Sequence, residues 1–154
     1  MHTSFHQATL ADAATLVDLA RRTIDACYRS FLGDDAVDGF IGSGAVDRYV
    51  EANIDFTVVI TCDEKIVGFA CWRDELIDLM MIDHTLHRQG LGTQLITHVE
   101  TMLFEAHDEI RLNTFTGNER TVAFYRKNGW HETSRFQDEA SGSEKIVFVK
   151  SRPA

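Results

Sequence analysis

The chain has 154 residues, 44 % hydrophobic and 25 % charged, with a formal net charge of −9, the size and balance of one globular domain with a proper core. No apolar run approaches the roughly 20 residues that span a bilayer, and the acidic balance argues against a nucleic-acid partner, whose phosphates call for a basic patch. The first residues lack the cationic and apolar regions of a signal peptide, so we expect a cytoplasmic protein with no membrane partner.

Cys27, Cys62 and Cys71 are odd in number, widely spaced and set among apolar neighbours, which reads as reduced core thiols. The net negative field is compatible with a cationic substrate, although acidic surfaces commonly serve solubility alone.

Residues 4–8 alternate weakly and lead into Thr9-Leu10-Ala11-Asp12, an N-cap pattern with an acid at the third helical position. A helix is expected to about residue 26, with Ala13, Leu16, Val17, Ala20, Ile24 and Cys27 as its buried stripe. Residues 28–44, punctuated by glycines, read as a short helix between turns, and residues 45–52 as a further helical segment. Residues 56–62 are β-branched and read as a strand, residues 66–73 as its hairpin partner, and residues 76–82 as the third strand of an antiparallel meander.

That third strand runs into Gly90-Leu91-Gly92 and an amphipathic helix from Leu91 to about residue 106. A strand, a glycine loop and a helix N-terminus together make an anion site, because the free N–H groups of the first turn point outward and glycines allow close approach. Residues 109–115 then form a strand parallel to the preceding one if the helix is a crossover. A helix capped at Asn118 and stopped at Asn128-Gly129 follows, and residues 130–136 and 145–150 alternate as two antiparallel strands. The pattern as a whole is a mixed α+β domain over 1–154.

The glycine loop alone is a weak signal. It is not a dinucleotide fingerprint, since Leu95 occupies the third glycine position, and no Gly-Lys-Ser/Thr follows. His84 and His87 lack a third ligand at a recognisable spacing, which argues against a metal.

Ile82-Asp83-His84-Thr85-Leu86-His87-Arg88-Gln89-Gly90-Leu91-Gly92, followed by Asn118, Ala123-Phe124-Tyr125 and Gly129-Trp130, resembles the two signature segments of the GNAT superfamily of acyl-CoA N-acyltransferases, and the order of elements resembles it too. The resemblance implies a mostly antiparallel central sheet of about six to seven strands, flanked by helices on both faces, with a parallel pair splayed at the cofactor site by a bulge near the end of the third meander strand. It implies acetyl-CoA as co-substrate. The backbone of Met80, Met81 and Ile82 would pair with the pantetheine amides, Arg88, Gln89, Gly90, Leu91, Gly92 and Thr93 would wrap the pyrophosphate, and Asn118 and Tyr125 would line the cofactor. One departure is His87, where the family has Gln or Arg.

By the same resemblance, Tyr125 would protonate the leaving thiolate, a role a phenol with a pKa near 10 can fill. Its plain alternative is an aromatic core contact. The family's occasional glutamate base falls on Asn113, which cannot abstract a proton, so Asp78 and Glu75 are the better placed carboxylates. Asp78 lies in an apolar run, where an unpaired buried carboxylate would be costly; it reads equally as an acid paired with an arginine or exposed on the open face of the sheet. Tyr28 and Asp25 stand where this fold builds its acceptor pocket, with residues 28–52 and 137–144 as its walls.

The function implied is acetyl transfer to a primary amine of a small molecule or peptide by direct attack in a ternary complex. The competing readings are an acyl-CoA-binding sensor or interaction module without catalysis, and acetylation of a protein N-terminus or charged tRNA. Family habit implies a homodimer, with no stretch of sequence marking its interface.

Overall fold

Seven strands form one sheet in the order β1-β2-β3-β4-β5-β7-β6 in a computed structural model that describes residues 2–154, leaving Met1 outside. They are β1 (Thr3–Gln7), β2 (Thr57–Cys62), β3 (Lys65–Arg73), β4 (Leu76–Ile82), β5 (Glu109–Phe115), β6 (His131–Gln137) and β7 (Glu144–Ser151). The β2-β3 hairpin closes through Asp63 and Glu64, both at positive φ of 50° and 71°, the two-residue turn whose twist matches the strands it joins.

The helices divide between the two faces. On one lie α1 (Ala13–Cys27), α2 (Arg29–Leu32), α3 (Asp34–Gly42) and α4 (Ala45–Asn53), whose Leu16, Leu19, Ile24, Val37 and Val50 pack on Val59, Phe69 and Met81. On the other lie α5 (Leu91–Phe104) and α6 (Glu119–Lys127), with Leu95, Ile96 and Val99 wholly buried against Ile77, Ile110 and Phe148. Each such aliphatic side chain contributes about 2 kcal/mol of burial. Glu100 of α5 is buried as well; its carboxylate accepts from Lys150 Nζ at 2.6 Å and Trp130 Nε1 at 3.1 Å, which ties α5 to β7 and to the end of α6.

The parallel pair β4-β5 holds only at Leu76 opposite Arg111 and Ile77 opposite Leu112. Beyond it the strands part. On its other edge β4 pairs with β3 so that Cys71 faces Leu79 and Trp72 faces Ile77, leaving Asp78 as the extra residue of a β-bulge. The bulge reverses which face each side chain takes: Ile77 and Met80 pack towards α5, Leu79 and Met81 towards α1. It thus lies near the start of the strand and not near its end as expected.

Other expectations need adjustment. Residues 28–44 form two helices broken at Gly33, whose φ of 88° interrupts the helical path. A 3-10 turn at Leu10–Asp12 precedes α1, with the Thr9 N–H donating to Asp12 Oδ2 at 3.0 Å. Leu19 and Thr23 join the buried stripe of α1. Asn118 makes no side-chain cap bond. All three cysteines are free thiols, but only Cys71 is buried; Cys27 and Cys62 are partly exposed. Among the described residues no helix is long and apolar enough to cross a membrane.

Candidate active site

Where β4 and β5 part, β4 keeps a free edge. The Asp83 N–H donates to Val67 O at 2.8 Å, and because alternate residues of an antiparallel strand turn their peptide groups to opposite sides, the groups of Met80 and Ile82 face the opening. The Ile82 carbonyl accepts a hydrogen bond from His87 Nε2 at 2.9 Å. Burial lowers the His87 pKa against the raising effect of that bond, which keeps the ring a neutral donor. His87 therefore buttresses the end of the strand.

The loop then turns through Arg88 and Gly90, at φ of 67° and 79°, into α5. The Gln94 N–H reaches Gly90 O at 3.1 Å as the first helical bond, so the first-turn N–H groups of Leu91, Gly92 and Thr93 have no partner within the helix. A Cβ on Gly92 would stand 3.2 Å from the Phe124 ring; the glycine lets α5 and α6 approach. Asp83 anchors the loop, accepting from the Thr85 N–H at 3.0 Å and from Arg22 of α1 at 3.2 Å.

These elements line a cleft of about 910 Å³ between the splayed strands, α1, α2 and α6. Of the residues expected at a cofactor, Met80, Met81, Ile82, Arg88, Gly90, Gly92, Thr93, Asn118 and Tyr125 line it. Gln89 does not, and Leu91 turns its side chain into the core at 1 % exposure, leaving only its backbone to contribute. An edge of unpaired peptide groups running into a helix N-terminus suits an extended chain bearing amides and ending in an anion.

Tyr125 is buried, with its ring 5.3 Å from Phe124, 6.2 Å from Trp130 and 6.0 Å from Phe148. Both readings of this residue therefore meet: it is a core ring whose side chain also lines the cleft. Burial, with a smaller effect of Tyr28, pushes its phenol pKa up, so it holds its proton at any neutral pH. Tyr28 is likewise on the cleft wall, its pKa pushed up to about 12 by burial and, less, by Cys27. It joins Phe31 and Phe115, with ring separations of 5.2 Å and 6.2 Å.

The carboxylates separate. Asp78 reaches the cleft, but as an exposed bulge residue and not a buried acid, and its partner is the Tyr49 hydroxyl, which donates to Oδ2, in place of an arginine. Glu75 is not brought to the cleft: it sits at the paired end of β4, accepts from Arg111 at 2.8 Å, and is held below the usual carboxylate range by its own backbone N–H and by Arg111. Asp25 is not there either; it accepts from Arg29 Nε at 3.1 Å, part of an exposed cluster with Asp34 and Asp38. Residues 32–52 and 137–144 stay off the cleft wall.

Two wall residues were not foreseen as acceptor-site residues. Thr23 is 5 % exposed, and its Oγ1, like Asn113 Oδ1, is buried with no hydrogen-bond partner. Thr23 had a signal, since it lies seven residues after Leu16 and three after Ala20, both on the inward stripe. The cleft is also not acidic. Asp78 and Glu119 stand there against Arg88, Arg120, Lys127 and Lys145, so the negative surplus of the chain lies elsewhere on the surface.

A family model described as an acetyltransferase (GNAT) domain matches residues 25–149. The chain is 29 % identical over 120 residues to peptidyl-lysine N-acetyltransferase YjaB of Salmonella typhimurium, covering 78 % of this chain and 77 % of that one. Two solved structures share the fold. A GCN5-related N-acetyltransferase from Rhodopseudomonas palustris superposes with a TM-score of 0.85 at 15 % identity, covering 99 % of this chain and 97 % of the other. The PaiA N-acetyltransferase of Thermoplasma acidophilum, in complex with coenzyme A, gives 0.82 at 16 % identity, covering 99 % and 100 %.

Proposed function

Since the chain belongs to the acetyltransferase (GNAT) domain family, we propose that its cleft binds acetyl-CoA and that the protein transfers the acetyl group to a primary amine of a small molecule or a peptide. The observation that carries this reading is the free β4 edge continuing into the unpaired first-turn N–H groups of α5. Bound there, acetyl-CoA supplies an activated acyl carbonyl. The Met80 carbonyl and the Ile82 N–H are offered to the pantetheine amides, the backbone of residues 90–93 and Arg88 hold the pyrophosphate, and the N–H of Met80, farther along β4 from the pyrophosphate loop, faces the opening where an oxyanion would need a donor.

The amine must be neutral when it attacks. At pH 7 roughly one alkylamine in 10³ is unprotonated, a cost of roughly 4 kcal/mol. Asp78, held by Tyr49 at the lip of the cleft, is the group that accepts the ammonium proton directly or through water. The Tyr125 hydroxyl, which makes no hydrogen bond within the described residues, gives its proton to the departing thiolate. The peptidyl-lysine N-acetyltransferase activity of the Salmonella relative supports a peptide lysine as acceptor. The free thiols support a reducing compartment, hence the cytoplasm.

Incubation of the protein with acetyl-CoA and a panel of amines, lysine peptides included, tests the proposal. We expect amine-dependent thiol release with N-acetylated product. Tight acetyl-CoA binding with no thiol release across the panel would instead identify a sensor.

A further inference from the structure

The orphaned polar atoms of the chain are informative by their position. Among the described residues five buried side-chain atoms lack a partner: Arg21 Nε, Thr23 Oγ1, His84 Nδ1, Asn113 Oδ1 and Thr116 Oγ1. Of these residues only Thr23 and Asn113 line the cleft, one on α1 and the other on β5 beyond the point where it leaves β4. Buried polar atoms are nearly always paired, and an unpaired one costs the fold stability. A protein that keeps two of them in one cleft keeps hydrogen-bond capacity for something that enters it.

Both atoms can accept. An amide oxygen and a hydroxyl oxygen each take an N–H, and neither removes a proton at neutral pH. The same cleft is lined by Tyr28, Phe31 and Phe115, a continuous set of rings with Phe31 and Phe115 centroids 5.6 Å apart. Gly117 packs directly on Phe31, since a Cβ there would come within 2.7 Å of Phe31 Cβ. Lys145 Nζ lies 4.7 Å from the centroid of the Phe115 ring and 3.9 Å from Asp138 Oδ1, a distance that leaves its charge only partly offset. A second positive charge reaching the Phe115 ring would meet that ammonium.

We propose that Thr23 Oγ1 and Asn113 Oδ1 receive the N–H groups of the acceptor amine, and that the Tyr28, Phe31 and Phe115 rings hold its stem. The acceptor class is thus a single ammonium on an unbranched apolar stem, as in a lysine side chain without a neighbouring cation; polyamines are disfavoured. The inference rests on the reading of this cleft as an acetyltransferase site and adds the residues that choose the amine. The amine enters protonated, donates to Thr23 and Asn113, and loses one proton to Asp78.

Calorimetric titration of the protein saturated with unreactive CoA tests this, with Nα-acetyl-lysine methylamide as probe and spermidine as comparator. Thr23→Val keeps the side-chain shape, and Asn113→Leu replaces the orphaned amide. We expect the capped lysine to bind the wild-type complex more tightly than spermidine, and to bind each variant at least about tenfold more weakly, about 1.4 kcal/mol. CoA affinity stays unchanged and Tm is unchanged or higher, the opposite sign from a structural hydrogen bond. Unchanged affinity for the capped lysine, a Tm that falls with loss of CoA binding, or tighter binding of spermidine overturns the proposal. If the capped lysine binds as expected but releases no thiol from acetyl-CoA, the subsite stands and the acetyl-transfer reading fails.

Discussion

Tyr125→Phe separates the chemical from the packing role of one side chain. The ring would remain against Phe124, Trp130 and Phe148, and the deleted hydroxyl has no hydrogen bond to lose, so stability should change by less than about 1 kcal/mol, a Tm shift within about 4 °C. If the hydroxyl protonates the leaving thiolate, kcat should fall by about 10²- to 10⁴-fold, or about 2.7 to 5.4 kcal/mol of barrier. The KM for acetyl-CoA should hold. Because burial raises the phenol pKa above its ordinary value, Tyr125 should contribute no basic limb to the wild-type pH–rate profile below about pH 10. Thiol release followed from pH 6 to 9 with a chromogenic thiol reagent makes the measurement. A variant whose kcat stays within about threefold of wild type throughout refutes the general-acid role.

Asp78→Asn should lower kcat/KM by about 10²-fold in the same assay, whereas Glu75→Gln, at a carboxylate tied to Arg111 away from the cleft, should leave it within about twofold; the reverse ranking would return the base to Glu75. Glu100→Ala leaves the Trp130 N–H without a partner and the Lys150 ammonium with only the Asn128 carbonyl and should cost about 1 to 3 kcal/mol, a fall in Tm of about 2 to 12 °C by circular dichroism. A Tm within about 2 °C of wild type would show that the buried pair contributes little.

Tyr28, with its pKa pushed up to about 12, holds its proton in the folded chain after the unfolded phenol has lost its own near 10. Its contribution to stability is therefore complete below about pH 10 and lost as pH rises towards 12. Tm should drop across that window, and Tyr28→Phe should make the drop shallower; an unaltered slope would remove Tyr28 as its source.

The hairpins, α5 and the glycine turn before it were legible in the sequence because each rests on short-range rules. Strand residues alternate, α5 repeats its apolar face every three to four residues, and the backbone turns at glycine where φ is positive. The Asp25 to Arg29 pair is equally local, four residues apart on one side of a helix, and weighing it would have removed Asp25 from the acceptor site. Thr23 could have been placed on the inward stripe by the same spacing.

What only the tertiary structure decided depends on register and on contacts between distant segments. Asp78 in its apolar run reads equally as a buried acid or as one exposed on the open face of the sheet; a single extra residue in the β3-β4 ladder turned it outward and brought Tyr49, 29 residues away, onto its carboxylate. Arg111, 36 residues from Glu75, took up the other candidate base. The aromatic wall joins the start of α2 to the end of β5, and the cleft exists because β4 and β5 stop pairing after two residue pairs. Alternation along a strand says which side chains share a face, but where a ladder slips or ends is settled by packing against the rest of the sheet and its helices.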